Sequence, residues 1–135
     1  MPVDNPQDSP QIVSGFLNKE QIEAEAAHLA HVLAERGVEK VLVEHWFGKQ
    51  EIAANQLVQA FQDGFQDSAS GSSKRRVYFG DSDFVIRLPG ESTIFEFCHE
   101  DELHVLSPDE NLRNIFRSRW LRKDYDIRDT YQYPR

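Results

Sequence analysis

A single α+β domain is the fold class that the sequence predicts: an antiparallel β-sheet, a four-stranded meander plus one N-terminal strand, packed with three α-helices in the order α-β-α-β-β-β-β-α. Three observations carry this expectation. Apolar residues recur at helical spacing in three segments, and between Arg76 and Val105 the period falls to two. At 135 residues the chain is of single-domain size, long enough for folding to remove roughly two-thirds of its surface from water. Hydrophobic residues make up 39% and charged residues 28%, with nine Phe, four Tyr and two Trp, a composition that can build a core.

The first eleven residues contain three prolines among polar side chains and predict a flexible segment 1–11, with one α+β domain over 12–135. Asn18 is placed as an N-cap with Gln21 three residues on, and Ile22, Ala26, Leu29 and Leu33 follow at helical spacing until Gly37. Val38 to Phe47 is rich in β-branched and aromatic residues and reads as a strand. After Gly48, the stripe Ala54, Leu57, Val58, Phe61 and Phe65 predicts a second helix from about Lys49 to Gln66.

Residues 67–73, Asp-Ser-Ala-Ser-Gly-Ser-Ser, predict a flexible loop. The alternating pairs Val77/Phe79, Phe84/Ile86/Leu88, Thr93/Phe95/Phe97 and Leu103/Val105 then predict the meander, with Arg87, Glu96 and His104 on its polar face. Ser107-Pro-Asp-Glu110 spells a capping box opening a third helix, whose buried stripe is Leu112, Ile115, Phe116 and Trp120. The tail from Lys123 to Arg135 is polar and is expected to pack in part through its tyrosines.

Net charge is −8, which argues against nucleic acid as the main partner, because phosphate contacts need a concentrated positive surface. The charge is polarised. Residues 1–73 carry 4 basic and 11 acidic side chains, residues 99–110 carry none and 5, and residues 111–135 carry 7 and 3. Cys98 is the single cysteine, so neither an intramolecular disulfide nor a cysteine-rich zinc module can form. No signal-like n-region or h-region opens the chain, and no run approaches the ~18 apolar residues of a membrane-spanning helix. A cytoplasmic protein is expected, with no membrane partner and no cofactor.

Chemistry-bearing residues concentrate at Cys98-His99-Glu100-Asp101-Glu102-Leu103-His104. The two histidines are five apart, whereas a helical zinc-protease motif needs four, so that chemistry is excluded. A hairpin could still bring His99 and His104 together, with Glu100 or Glu102, around a metal. A solvated acidic turn explains them more simply, and no metal site is assigned. Cys98 would need His45 or His104 beside it to act as a nucleophile, since its neighbour His99 points to the opposite face of a strand. No catalytic residue is assigned. His28 and His31, three apart on the first helix, fit packing at a helix boundary as well as they fit a metal pair.

Arg113 and Arg117 are i,i+4 neighbours and form the candidate anion site, extended by Arg119, Arg122, Lys123 and Lys74-Arg75-Arg76. Arg119 lies about 200° around the helix from Arg117, so pairing with the chain's own acids is the simpler account. Glu20 and Glu23 on the first helix, whose acidic face also includes Glu25 and Glu35, and Glu100, Asp101 and Glu102 in the turn form the candidate partner-binding surface. An acidic surface attracts a basic protein and speeds its capture. The leading expectation is therefore a non-enzymatic inhibitor or immunity-like protein that docks on a basic partner protein. The alternatives are a small enzyme or ligand- or metal-binding domain using Cys98, His99 and His104, and self-association as a homodimer through a sheet edge.

Overall fold

The computed structural model of the protein describes residues 10–45, 48–66, 76–79 and 81–130. The elements are β1 (Gln11–Ser14), α1 (Lys19–Glu35), β2 (Lys40–His45), β3 (Gly48–Ala53), a 3-10 turn (Ala54–Gln56), α2 (Leu57–Asp63), β4 (Phe65–Gln66), β5 (Arg76–Val77), β6 (Phe84–Arg87), β7 (Ile94–Phe97), β8 (Leu103–Leu106), α3 (Glu110–Lys123) and β9 (Ile127–Thr130). Among the described residues a seven-stranded antiparallel sheet runs in the order β3-β2-β6-β7-β8-β1-β9, and β4 pairs with β5 in a separate two-stranded sheet. The α+β class holds, with more strands than the alternation indicates.

Alternation sorts the large sheet into two faces. Val41 and Val43, Phe84 and Ile86, Phe95 and Phe97, Leu103 and Val105, and Ile12 point to one side, and all belong to the core. Leu112, Phe116 and Trp120 of α3 and Ile22, Ala26, Leu29 and Leu33 of α1 complete that core. Phe116 meets Phe95 at a ring separation of 5.5 Å, which seats α3 on the middle of the sheet. The opposite face carries Glu44 beside Arg87 at 2.8 Å and Glu96 paired in register with His104. Toward β8 and β1 the same face also holds buried Val13, Ile94, Leu106 and Cys98 beside Gln11 and His104, so it is polar only in part.

Helix α1 forms as its sequence indicates. The Asn18 side chain accepts from Gln21 N and the Gln21 side chain accepts from Asn18 N, both at 2.8 Å, closing the capping box. The first departure is at the second helix. Gly48–Ala53 is an edge strand paired with β2, and helix proper is confined to Leu57–Asp63. The polar residues that suggest a solvated helical face instead alternate: Ile52 lies opposite Val41 and turns inward, while Lys49 and Glu51 stay exposed. Charged side chains on an edge strand discourage pairing with another chain. The apolar stripe survives from Ala54 onward, with Ala54, Leu57, Phe61 and Phe65 buried. Trp46 and Phe47, assigned to the preceding strand, lie outside the described residues.

The second departure is in the meander. Strands β6, β7 and β8 form it, but Val77 pairs with Phe65 rather than with β6. Phe79 packs its ring against Phe61, Phe84 and Phe97, so this segment covers the sheet instead of extending it. In its place the sheet is completed by β1 and β9, both unforeseen because Gln-Ile-Val-Ser and Ile-Arg-Asp-Thr are too short to show a period. β1 lies between β8 and β9, antiparallel to both. The segments 1–11 and 67–73, expected to be flexible, lie outside the described residues apart from Pro10 and Gln11, and Gln11 begins β1.

Helix α3 starts two residues later than the Ser-Pro pair suggests. Asp109 is its N-cap, accepting from Asn111 N and Leu112 N at 3.0 and 3.3 Å. Ser107 is buried, accepts from Asp109 N at 3.1 Å and bonds Thr93 Oγ1 at 2.8 Å, so it fixes the loop rather than the helix end. Ile115, assigned to the buried stripe, is 41% exposed, because the stripe that faces the sheet is the narrower Leu112-Phe116-Trp120 row.

Glu25, read as part of the acidic face of α1, is fully buried. Its Oε2 accepts from Arg119 Nε at 2.8 Å and its Oε1 from Trp120 Nε1 at 2.7 Å, and Tyr125 OH reaches Oε2 at 3.4 Å. Part of the C-terminal positive charge is thus spent inside the protein. Glu25→Ala should destabilise the fold by about 3–5 kcal/mol, because it strands the Trp120 and Arg119 donors between two helices. Denaturant unfolding of the variant measures this, and a loss comparable to a surface substitution would contradict it.

His28 of α1 is half-buried against the edge of Phe116, with ring centroids 5.1 Å apart. Burial, together with the charges of Arg119, His31 and Arg122, lowers its pKa to about 4 from 6.5. Its neighbour His31 points outward to Glu35 at 3.5 Å, so the two rings turn to different partners and only His28 packs at the helix boundary. A depressed histidine pKa means that the unfolded chain takes up a proton the folded one refuses. Its contribution to stability is therefore complete above pH 6.5 and lost as pH falls toward 4. The loss should be roughly 1–2 kcal/mol once the ring's partial exposure is allowed for. His28→Leu should flatten the stability profile between these limits, as read by thermal melts across the range.

Candidate functional site

The acidic turn is built by the β7–β8 hairpin. Phe97 opposes Leu103, Cys98 N donates to Glu102 O at 3.0 Å, and Asp101 N donates to Cys98 O at 2.9 Å. Asp101 closes the turn at φ 62°, a left-handed conformation that Asp tolerates better than most side chains. The tip is tied down twice. Asp101 O accepts from Leu17 N at 2.8 Å, joining it to the start of α1, and Asp83 Oδ1 bonds both the backbone N and Nδ1 of His99, at 2.9 and 2.8 Å. The Asp83 carboxylate raises the pKa of the exposed His99 imidazole. At Asp83 itself, burial pushes the pKa up, but the His99 bonds outweigh it and the net shift is down.

Because the turn backs onto the start of α1, Asp101 meets an apolar groove of about 390 Å3. Phe16, Leu17, Ile22, Phe61, Tyr78 and Phe79 line it, with Lys19 and Asp101 on its rim. Phe16 is 69% exposed and Tyr78 43% exposed, so two aromatic side chains that could have been buried flank an opening of ligand-pocket size. Tyr78 is set by Gly64, which stands at φ 74°; a Cβ there would lie 2.8 Å from the Tyr78 ring. Phe16 and Tyr78 have no signature in the sequence, since exposure of an aromatic residue is decided by packing elsewhere.

Glu20 and Glu100 are exposed and Glu23 is half-exposed, and among the described residues none of them enters an ion pair. Glu102 is separate from them. It lies on the helix-free face of the sheet, where Oε2 meets Arg128 Nη2 at 2.7 Å. Arg113 donates its Nε to Ser107 O at 2.9 Å, and Arg117 bonds Asn114 Oδ1, so both candidate anion ligands are engaged within the chain. Lys74 and Arg75 lie outside the described residues. Arg76 donates to Gly64 O at 3.3 Å, away from α3.

His45 packs with Phe65 and Phe84 at 5.6 and 5.5 Å on the core face, whereas Cys98 and His104 share the opposite face. The sheet itself separates His45 from the thiol. The hairpin does not bring His99 and His104 together either, since His99 turns to Asp83. Instead Cys98, Glu102 and His104 converge, with one donor atom of each within 4.8 Å of the others. Burial raises the Cys98 thiol pKa and lowers that of the His104 imidazole.

No protein-family model matches the chain, and no curated protein or solved structure proves similar to it. Among the described residues, no helix is long and apolar enough to cross a membrane. The site is therefore argued from its own residues.

The left-handed backbone at Asp101 should decide which substitutions the turn accepts. Asp101→Gly should leave stability within about 1 kcal/mol, while Asp101→Val should cost roughly 1–2 kcal/mol more, because a β-branched residue is strained there. Equilibrium denaturation of the two variants tests the difference.

Proposed function

We propose that this protein is a non-enzymatic protein-binding module that docks a basic segment of a partner protein in the groove at the start of α1. An acidic inhibitor or immunity-like role in the cytoplasm is its most concrete form. The observation that carries the reading is the juxtaposition of exposed Phe16 and Tyr78 with Asp101 in the groove, with Glu20, Glu23 and Glu100 next in sequence to the groove residues Lys19, Ile22 and Asp101. The groove offers an apolar side chain a place to lose its water, and aromatic flanks supply much of the energy in protein interfaces. The carboxylates favour Lys or Arg beside that anchor and raise the rate of encounter. Lys19, which among the described residues is the cation lining the groove, marks the side where the partner's positive charge should be lowest.

Selection from a random peptide library tests both parts of the recognition. Bound peptides should pair an aromatic or leucine anchor with Lys or Arg, and their affinity should fall as ionic strength rises. Phe16→Ala, at an exposed position, should weaken binding roughly tenfold or more without lowering stability. Glu20→Lys combined with Glu100→Lys should weaken it and remove most of its salt dependence. Peptides without basic residues, or binding indifferent to all three substitutions, would refute the proposal.

A further inference from the structure

We propose that Cys98, Glu102 and His104 form a binding site for a single divalent transition-metal ion, with zinc favoured by their donor set. This site lies on the helix-free face of the sheet and is independent of the docking groove.

The residues come from both strands of one hairpin. Cys98 follows the last residue of β7, Glu102 precedes the first of β8, and His104 is two residues further on the same face. Alternation therefore directs all three side chains to one side of the sheet. The donors are one sulfur, one imidazole nitrogen and one carboxylate oxygen, a set suited to zinc and its neighbours rather than to magnesium or calcium. An ion with bonds of ~2.0–2.3 Å sets its ligands roughly 3.3–3.8 Å apart. Donors already within 4.8 Å of one another thus need to close by at most about 1.5 Å.

Two neighbours orient the ligands. Gln11 of β1, itself 1% exposed, places Oε1 3.3 Å from His104 Nδ1. A carbonyl oxygen at Nδ1 and a carboxylate on the Nε2 side are the arrangement by which a second ligand shell orients a metal-binding histidine. Arg128 holds Glu102 Oε2, so Oε1 is the oxygen turned toward His104 Nε2 at 3.7 Å, farther than a hydrogen bond. One thiolate and one carboxylate balance the charge of a dication. Binding replaces the Cys98 S–H bond by a bond from sulfur to the metal and releases that proton to water. Three protein ligands leave a fourth tetrahedral position for water.

Cobalt(II) is the probe, added to the full chain kept reduced. One equivalent should bind, giving the near-ultraviolet band of thiolate-to-cobalt charge transfer and visible bands of tetrahedral intensity, and one equivalent of zinc should displace it. Cys98→Ser and His104→Gln should each lose stoichiometric binding, with folding checked by circular dichroism. His99→Gln should keep it, since His99 pairs with Asp83 outside the cluster. A folded wild-type chain that shows no charge-transfer band would overturn the proposal. So would binding that survives Cys98→Ser or His104→Gln, or that is lost in His99→Gln. If either ligand variant does not fold, the other one carries the test together with the wild-type spectrum.

Discussion

The buried carboxylate of Glu25 is the constraint around which the helical layer is arranged. A charge removed from water is tolerated only when its oxygens are fully engaged, and here three donors from the α3 end of the chain converge on it. The residue that accepts and the residues that donate lie about a hundred positions apart, so this contact sets the position of α3 along α1. Apolar packing of Leu112, Phe116 and Trp120 would by itself allow α3 to slide or rotate over the sheet. Directional bonds to both carboxylate oxygens remove that freedom. The price is that neither partner can be exchanged alone.

This internal use of charge changes the meaning of the chain's polarity. Arg119 neutralises Glu25, Arg128 neutralises one oxygen of Glu102, Arg36 bonds the α3 cap Asp109 at 3.1 Å, and Arg87 bonds Glu44. In the basic C-terminal part Arg119 and Arg128 thus join separate elements, and Arg113 bonds the loop carbonyl of Ser107. Among the described residues, the acids without an ion pair include Glu20, Glu23, Glu100 and Asp101, where the β7–β8 turn meets the beginning of α1. The two features of interest therefore lie back to back on one hairpin: the turn's tip borders the groove, and its stems carry the Cys98, Glu102 and His104 donors on the helix-free face.

The legible parts of the fold were those with strong local signals. The capping box of α1, the Phe- and Ile-rich alternation of β6 to β8 and the Leu112-Phe116-Trp120 row all formed as their periods indicate. The β3 edge strand was misread because Lys-Gln-Glu-Ile carries no β-branched run, and its neighbours Ala54, Leu57 and Phe61 do have helical spacing. β1 and β9 are invisible locally, since a four-residue strand is defined by the partners on either side of it. At the candidate site, the sequence points to this hairpin, and the structure turns His99 to Asp83 while Cys98, Glu102 and His104 converge. Alternation separates His99 from Cys98, but that 98 lies opposite 102 follows only from the Phe97–Leu103 register across the turn. Gln11 and Arg128 could not have been found that way, because they reach the cluster only across β1 and β9.

The placement of β1 between two late strands has a consequence for how the chain comes together. Gln11 and His104 are 93 residues apart in sequence, yet they share one ladder. During synthesis β1 emerges first and finds neither neighbour until residues beyond 106 have appeared, so for most of that time it is an apolar strand with two open edges. Contacts of such long sequence separation close slowly, and an unpaired Ile-Val strand is what recruits other chains in the meantime. The sheet is therefore completed last at the place where its oldest and youngest segments meet, and a nascent chain stalled before β9 would expose the same edge that the finished protein seals.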